Sequence, residues 1–125
     1  MNTNVRFYRC TFCGQLVSTL REGDDIPACC GQAMTLIHEH SVEDKKEKHL
    51  PVPVQTDGGV RVTIGEEKHP MIEKHYIEWI ELEIDGRSYR QFLQPGEEPT
   101  ALFPGHNGPR TFRAYCNIHG MWKTA

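Results

Sequence analysis

The chain has 125 residues, of which 38% are hydrophobic and 25% are charged, and its formal net charge is −3. This length allows one domain or two very small ones, and so weak a negative charge gives no support for nucleic-acid binding. With 11 glycines and 8 prolines, the composition favours short strands and turns over long helices.

The sequence predicts a cytoplasmic protein that does not span a membrane. No apolar run approaches the ~20 residues that a membrane-spanning helix needs, and residues 1–6 lack the apolar core of a signal peptide. Thiols are expected to stay reduced in that compartment. The five cysteines cannot all pair within one chain, and four of them cluster near the N-terminus. The five cysteines are better explained as metal ligands, four of them in one site and the fifth in another.

The first metal-binding pattern lies in residues 1–37. Cys10 and Cys13 form a Cys-x-x-Cys knuckle, and Cys29 and Cys30 are adjacent to each other. The side chains of consecutive residues tend to point in different directions. Cys29 and Cys30 could therefore bind the same ion only with a distorted angle at the metal. Four thiolates suit iron or zinc, and spacing leaves that choice open; a disulfide framework is less favoured. A segment this small cannot bury enough apolar surface to fold unaided.

Residues 38–125 are predicted to form a second, all-β domain, with residues 38–48 as a charged connector. Residues 60–64 alternate after a glycine-containing turn. Residues 76–84 and 89–93 flank Asp85-Gly86 as a hairpin, and residues 101–103 and 111–115 are two more short strands. Prolines throughout this half discourage helices. A small antiparallel sandwich or barrel of roughly seven strands fits the spacing of the turns.

The second metal-binding pattern combines Cys116 and His119, three residues apart, with His49, His69 and His75. Each of these residues could sit at the end of a strand, where loops meet, so the five side chains could converge. Zinc sites usually close at four ligands, whereas five nitrogen and sulfur donors suggest a redox metal with an open position. Taken singly, each histidine is more often a surface or core residue, and Cys116 a buried thiol. The remaining histidines are interpreted as ordinary polar residues: His38, His40 and His106.

With these motifs the whole chain resembles the two-iron superoxide reductases, also called desulfoferrodoxins. The N-terminal cysteines resemble the desulforedoxin-type, rubredoxin-like iron centre. The matching motifs of the second half are Glu47-Lys48-His49, His69-Pro70-Met71, Lys74-His75-Tyr76-Ile77 and Cys116-Asn117-Ile118-His119-Gly120. All nine ligands that the family uses are present, and single-iron relatives lack the N-terminal cysteines.

The resemblance implies a fold, an assembly and a cofactor content. The fold is a small desulforedoxin-like metal domain followed by an immunoglobulin-like β-sandwich, and the assembly is a homodimer. Each chain would hold two iron atoms. One would be bound by four cysteines, in the four-cysteine site, and the other by four histidines and a cysteine, in the histidine–cysteine site. At the second iron, the four histidines would lie in a plane and Cys116 would be the axial ligand.

The resemblance also implies an activity, the one-electron reduction of superoxide to hydrogen peroxide at the ferrous histidine–cysteine site. Lys48 would attract the anionic substrate, and Glu47 would ligate the oxidised iron after peroxide leaves. Without the resemblance, Glu47 and Lys48 would be interpreted as a solvated pair in a run of charges. The N-terminal iron would serve electron transfer or structure, and a rubredoxin-like protein would donate electrons. Such an enzyme protects an anaerobe against oxidative stress.

Two other functions fit the ligand sets. One is a pure electron carrier, although an open coordination position beside a lysine argues against it. The other is a structural or regulatory protein with zinc in both sites. Colour distinguishes this last possibility, because zinc is colourless whereas ferric thiolate absorbs visible light.

Overall fold

The computed structural model describes residues 5–21, 23–41, 49–106 and 108–124. Every regular element in these ranges is a β-strand, which confirms the predicted all-β class. The chain forms two compact units, the first ending at His38 and the second beginning at Glu39. None of the described residues belongs to a helix long and apolar enough to cross a bilayer.

The first unit is a set of very short strands around a small core. Its strands are β1 Phe7–Arg9, β2 Leu16–Ser18, β3 Ala28–Cys29, β4 Gln32–Ala33 and β5 Thr35–Leu36. One sheet has the order β2-β1-β5, and β3 pairs with β4. Tyr8, Cys10 and Met34 form the buried cluster. So few buried side chains agree with the expectation that this unit needs a metal.

The second unit is a sandwich of two sheets. Its strands are β6 Glu39–His40, β7 Pro51–Thr56, β8 Gly59–Ile64, β9 Ile77–Ile84, β10 Arg87–Phe92, β11 Thr100–Phe103, β12 Arg110–Cys116 and β13 Gly120–Thr124. The five-stranded sheet has the order β10-β9-β12-β13-β6, and the three-stranded sheet has the order β11-β8-β7. Only the β13–β6 pair is parallel among the described strands. This confirms the predicted sandwich.

Alternation of apolar residues explains how the two sheets face each other. Val60, Val62 and Ile64 on β8 are fully buried and pack against Ile80 and Leu82 of β9 in a single core cluster. Strands with this period of two bury one face and leave the other polar. The core therefore lies between the sheets, and the ends of the strands remain available for a site.

The predicted hairpin between β9 and β10 is confirmed. Ile84 pairs with Arg87, so Asp85 and Gly86 form the two-residue turn. Their φ angles are 51° and 72°, and positive φ at both central residues defines the type I′ turn that fits the twist of a hairpin.

Three strands of the sandwich were not predicted, and one of them, β6, lies within the predicted connector. Pro51 and Pro53 lower the strand propensity of β7, but β7 lies at the edge of its sheet, where a missing N–H is tolerated. β13 begins at Gly120 and pairs with β12 along its whole length. Its five residues carry too little alternation to stand out from the sequence alone.

Candidate metal centres

Cys10 and Cys13 are held by a tight backbone loop after β1. The Gly14 N–H donates to the Cys10 carbonyl oxygen at 2.9 Å, and the Cys10 N–H donates to the Gln15 carbonyl oxygen at 2.9 Å. Gly14 has a φ of 81°, a conformation that glycine adopts without steric cost. The Cys13 N–H also points at the Cys10 sulfur, at 3.5 Å. The knuckle is thus shaped around the two sulfur atoms.

Cys29 and Cys30 converge because of an unusual turn. Cys29 pairs with Gln32, which leaves Cys30 and Gly31 as the two-residue turn between β3 and β4. Their φ angles are 54° and 76°, again the type I′ pattern. A left-handed cysteine is uncommon, and here it reverses the chain between neighbouring thiols. The expected divergence of adjacent side chains does not arise, because Cys30 is not in extended backbone.

The four sulfur atoms have the spacing of a tetrahedral metal site. The Sγ atoms of Cys13 and Cys29 are 3.6 Å apart, and those of Cys29 and Cys30 are 3.9 Å apart. Sulfur atoms at ~2.3 Å from a tetrahedral ion would be about 3.8 Å apart. All four lie within 4.8 Å of one another, and all four cysteines are free. The set therefore fits one four-coordinate metal ion.

Hydrogen bonds separate the proton affinities of these thiols. The backbone N–H of Cys13 lowers the pKa of Cys10 to about 6, whereas hydrogen bonding with the Cys13 thiol raises the pKa of Cys29 to about 12. Metal binding requires thiolates. One sulfur is therefore prepared for a cation, and the metal must displace protons from others.

The five donors of the second unit meet at one end of the sandwich. His49 precedes β7 and His69 follows β8, whose ends are paired. His75 precedes β9, while Cys116 ends β12 and His119 lies in the turn before β13. Because these strands are antiparallel neighbours, the starts of β7, β9 and β13 adjoin the ends of β8 and β12. Each of the five donors thus lies at the end of a strand or in the loop next to one.

The four imidazole rings lie near the corners of a square. Going around it, ring centroids are 4.8 Å apart for His49 and His69, 4.6 Å for His69 and His75, 5.0 Å for His75 and His119, and 4.7 Å for His119 and His49. The His49–His75 distance is 6.5 Å, as expected for a diagonal. Neighbouring rings are inclined by 65° to 82°. Rings that surround a common point, each edge-on to the next, can direct one nitrogen apiece at one ion.

The distances between individual donor atoms are those expected around one shared metal ion. His49 Nε2 lies 3.1 Å from His119 Nδ1, and Cys116 Sγ lies 3.8 Å from that Nδ1. Nitrogen ligands at ~2.1 Å and at right angles would be about 3 Å apart. The ligating atoms of all five residues lie within 4.8 Å of one another. His119 therefore presents Nδ1, while His49 presents Nε2.

His69 has one ring nitrogen available to bind a metal. Its Nδ1 lies 2.7 Å from the Pro70 carbonyl oxygen, so Nδ1 carries the proton and donates it. Its Nε2 is buried and has no hydrogen-bond partner among the described residues. Burial lowers the pKa of His69 to about 4, which keeps the ring neutral. A neutral imidazole with one nitrogen fixed by a carbonyl is the form that binds metals.

Cys116 approaches the site from the core. It is fully buried in the core cluster of the sandwich, and burial raises the pKa of its thiol. The backbone N–H of His119 points at its sulfur, at 3.4 Å. A thiolate here needs a nearby cation as well as these N–H groups. The donor set therefore fits a metal ion that Cys116 contacts from within the protein.

A β-bulge places Cys116 in that position. Tyr115 pairs with Trp79, but Cys116 pairs with Ile77, so one residue of β9 is skipped. Bulges commonly redirect a side chain beside a site. The skipped residue lets both Ile77 and Ile80 face the core, and Cys116 lies beside Ile77.

Asn117 was named only as part of a motif, yet it joins two ligand loops. Its Oδ1 accepts the Tyr76 N–H at 2.9 Å, and its Nδ2 donates to the Lys74 carbonyl oxygen at 3.1 Å. These two backbone groups flank His75. Asn117 therefore ties the loop of Cys116 and His119 to the segment that carries His75. Its place between two predicted ligands was the only sequence signal for this role.

Trp122 was not predicted as a functional residue. Its ring stacks on that of His49, with centroids 4.6 Å apart and an interplanar angle of 16°. Its indole N–H donates to the His119 carbonyl oxygen at 3.2 Å. No periodicity in the sequence indicated this, because β13 itself was not predicted.

Glu47 and Lys48 lie outside the described residues. His106 is on the surface and pairs with Asp85 at 2.7 Å. His40, interpreted as an ordinary polar residue, contacts Trp122, with ring centroids 4.6 Å apart and ring planes inclined by 33°.

Comparison with known proteins identifies the family of the chain. The family model for desulfoferrodoxin matches residues 41–125, and that for the desulfoferrodoxin N-terminal domain matches residues 3–37. A desulfoferrodoxin of Syntrophotalea carbinolica is 45% identical over 99% of this chain and 98% of its own length.

Two solved structures have the same fold. The superoxide reductase from Treponema pallidum covers 99% of this chain and 100% of its own, with a TM-score of 0.82 and 21% identity. The one-iron superoxide reductase from Giardia intestinalis covers 63% of this chain and 96% of its own, with a TM-score of 0.54 and 33% identity. Matches along nearly the whole sequence, together with both family models, place this chain in the desulfoferrodoxin family.

Proposed function

We propose that this protein is a superoxide reductase, an oxidoreductase that reduces superoxide to hydrogen peroxide. One observation carries the proposal: four imidazoles at the corners of a square share one centre with a single buried thiol. Five donors leave a six-coordinate ion with one position for a small substrate. The ligands are His49, His69, His75, Cys116 and His119.

The proposed metal at this site is iron. Ferrous iron held by these five residues would supply the single electron that, together with two protons, converts superoxide to hydrogen peroxide. The Cys116 thiolate adds electron density at the metal, as thiolate does in some haem proteins. Four neutral imidazoles and one thiolate bring a ferrous site to a net charge near +1, which favours an anionic substrate. The neutral His69 and the core-side approach of Cys116 support this arrangement.

Lys48 and Glu47 complete the proposed site through their positions beside His49. The Lys48 ammonium attracts superoxide toward the open position. The Glu47 carboxylate, two residues before the ligand His49, would bind the oxidised iron after the product has left.

The first unit holds the second proposed iron. Its ligands are Cys10, Cys13, Cys29 and Cys30, whose sulfur spacing suits a tetrahedral ion. This centre serves electron transfer or stabilises the unit. We assign residues 1–37 to a desulforedoxin-like domain and residues 38–125 to the catalytic domain, with 38–48 as the connector. The family-model boundaries at residues 37 and 41 support this division.

The cellular context follows from the family resemblance. The proposed electron donor is a rubredoxin-like protein, the proposed assembly is a homodimer, and the proposed location is the cytoplasm of an anaerobe, where the enzyme removes superoxide. Five cysteines without a disulfide agree with a reducing compartment.

Product stoichiometry tests the activity. Anaerobically reduced protein is mixed with superoxide, and hydrogen peroxide and oxygen are measured. A reductase forms one peroxide for each superoxide consumed and releases no oxygen. Half a molecule of peroxide for each superoxide, together with release of oxygen, would identify dismutation instead. Protein loaded with zinc is the control and should be inactive.

Metal analysis tests the cofactor. Anaerobically purified protein is expected to contain two iron atoms per chain with unlike spectra. One iron per chain, or zinc alone, would contradict the proposal.

A further inference from the structure

Trp122 contacts two proposed ligands through two different parts of its side chain. Its ring face stacks on His49, with a centroid distance of 4.6 Å and an interplanar angle of 16°. Its ring nitrogen donates to the backbone carbonyl of His119 at 3.2 Å. The residue is only 9% exposed. A buried indole usually has a partner for its N–H, and here that partner belongs to the ligand loop.

The indole is itself held by its other contacts. Trp122 pairs with His40 across the β13–β6 ladder, and the ring of His40 lies 4.6 Å from its own. The backbone of Trp122 pairs with Ala114 of β12 on the other side. Strand pairing on both sides fixes the backbone of Trp122, and the His40 ring contacts the indole, so the indole has little freedom to move. It can therefore restrain the imidazole that stacks on it.

The two restrained ligands are neighbours in the square. His49 Nε2 and His119 Nδ1 are 3.1 Å apart, so Trp122 acts on two adjacent donors together. His119 is exposed, so its ring has less packing around it than that of His69, which is almost fully buried. The loop of His119 therefore gains most from this additional support.

We infer that Trp122 is a positioning residue of the second metal centre, which sets the plane of His49 by stacking and the backbone of the His119 loop by its indole N–H. The inference rests on the proposed metal-binding role of these ligands. It does not require that the protein reduce superoxide. Outer groups that orient metal ligands typically change metal affinity by ~10–100-fold when removed.

The test compares three variants of the full-length, iron-loaded protein. Trp122→Leu removes both contacts, and Trp122→Phe keeps an aromatic face but removes the N–H donor. Trp79→Phe is the matched control, because Trp79 is also buried but stacks on Tyr115. The measurements are the rate of iron release to a ferrous chelator and the visible spectrum of the ferric histidine–cysteine site.

Release from the second centre should be about tenfold or more faster in Trp122→Leu than in the unmodified protein, with Trp122→Phe in between. Trp122→Phe should also shift the ferric band at an unchanged melting temperature, an effect that general destabilisation would not produce. Trp79→Phe should alter neither measurement. If Trp122→Leu does not fold, Trp122→Phe alone decides the question.

Folded Trp122 variants that release iron at the control rate, with an unshifted ferric band, would overturn the inference. Neither measurement uses superoxide. A protein that shows the expected differences but forms no peroxide would refute the proposed function and leave the role of Trp122 standing.

Discussion

Cys30 and His69 become suitable ligands through their local conformation. Cys30 occupies left-handed backbone with a φ of 54°, which costs roughly 1–2 kcal/mol for a residue other than glycine. Such a conformation persists where its surroundings determine it, and metal–thiolate bonding is a sufficient reason here. In His69 the Pro70 carbonyl selects the tautomer. Neither property can be derived from the spacing of residues, which counts donors but gives no φ angle or tautomer.

Asn117 offers a test of how the ligand loops are joined. Asn117→Ala removes an acceptor for the Tyr76 N–H and a donor to the Lys74 carbonyl. Two lost hydrogen bonds should lower the free energy of unfolding by roughly 1–3 kcal/mol. Iron release from the histidine–cysteine site should also be faster, because only the backbone hydrogen bond from the Asn117 N–H to the Tyr76 carbonyl oxygen, at 3.2 Å, would then join the segment carrying His75 to this loop.

The control for Asn117 is Gln91→Ala. The Gln91 amide is exposed and donates to the Phe92 carbonyl oxygen, so its loss should change neither unfolding nor iron release. Chemical denaturation and a chelator assay measure the two effects. Equal iron release by the Asn117 variant and the control would show that Asn117 does not position the loop.

Lys48 provides a test of substrate attraction. A cation beside the open position raises the local concentration of an anion, an effect of ~10 to 10³ in association rate. Lys48→Ile should slow the bimolecular reaction with superoxide roughly tenfold or more, and salt should then affect the rate less. The iron spectrum should stay the same, because Lys48 is not a ligand.

Lys45→Ile removes the same charge three residues further from His49 and is the control for Lys48. Pulse radiolysis at several ionic strengths measures both variants. If they behave alike, the effect belongs to net charge, and Lys48 has no special position.

The strands position the second site by where they end. The paired ends of β7 and β8 bring His49 and His69 together, and the bulge between β9 and β12 sets Cys116 beside Ile77. The alternation of β8 and the turn at Asp85-Gly86 could be predicted from the sequence, since both are local patterns. β7 and β13 could not, because an edge position and a pairing partner are properties of the assembled sheet.

Gly59 tests how closely two strands of the three-stranded sheet approach. A Cβ on Gly59 would lie 2.1 Å from the Phe103 carbonyl oxygen, and its φ is 148°. Gly59→Ala must therefore displace β8 from β11 and should lower the free energy of unfolding by at least about 2 kcal/mol, in the upper part of the range for single substitutions.

Gly58 is a matched control one residue away. A Cβ there meets nothing within 4 Å, and its φ lies outside the left-handed region. Gly58→Ala should change the free energy of unfolding by less than about 0.5 kcal/mol. Urea unfolding followed by tryptophan fluorescence compares the two, and equal midpoints would refute the steric argument.

The two centres belong to different units and share no ligand, which predicts that they can be separated. Cys13→Ser should abolish the spectrum of the four-cysteine site but leave the spectrum of the histidine–cysteine site and superoxide reduction by prereduced protein largely intact. Cys116→Ser should have the opposite effect. Loss of both spectra in the Cys13 variant would show that the units depend on each other.

The residue types and their grouping into two sets of ligands were predictable from this chain. Five nitrogen and sulfur donors differ chemically from four thiols, and that distinction needs no coordinates. The square of imidazoles, the Nδ1 donor of His119 and the contacts of Trp122 were not predictable from spacing. They arise from pairings between strands that are far apart along the chain.

This separation along the chain also sets the order in which the centres can form. Cys10 and Cys30 are only twenty residues apart along the chain, and Cys30 lies in the turn of the β3–β4 hairpin, so a metal ion can bind all four thiols as soon as this hairpin leaves the ribosome. Along the sequence, most strands of the sandwich lie between His49 and His119. Their ring nitrogens come within 3.1 Å only when β7 to β13 have paired. Long-range pairing is slow. During synthesis the first centre can therefore acquire its metal before the second exists, and the second must be filled in a protein that has already folded.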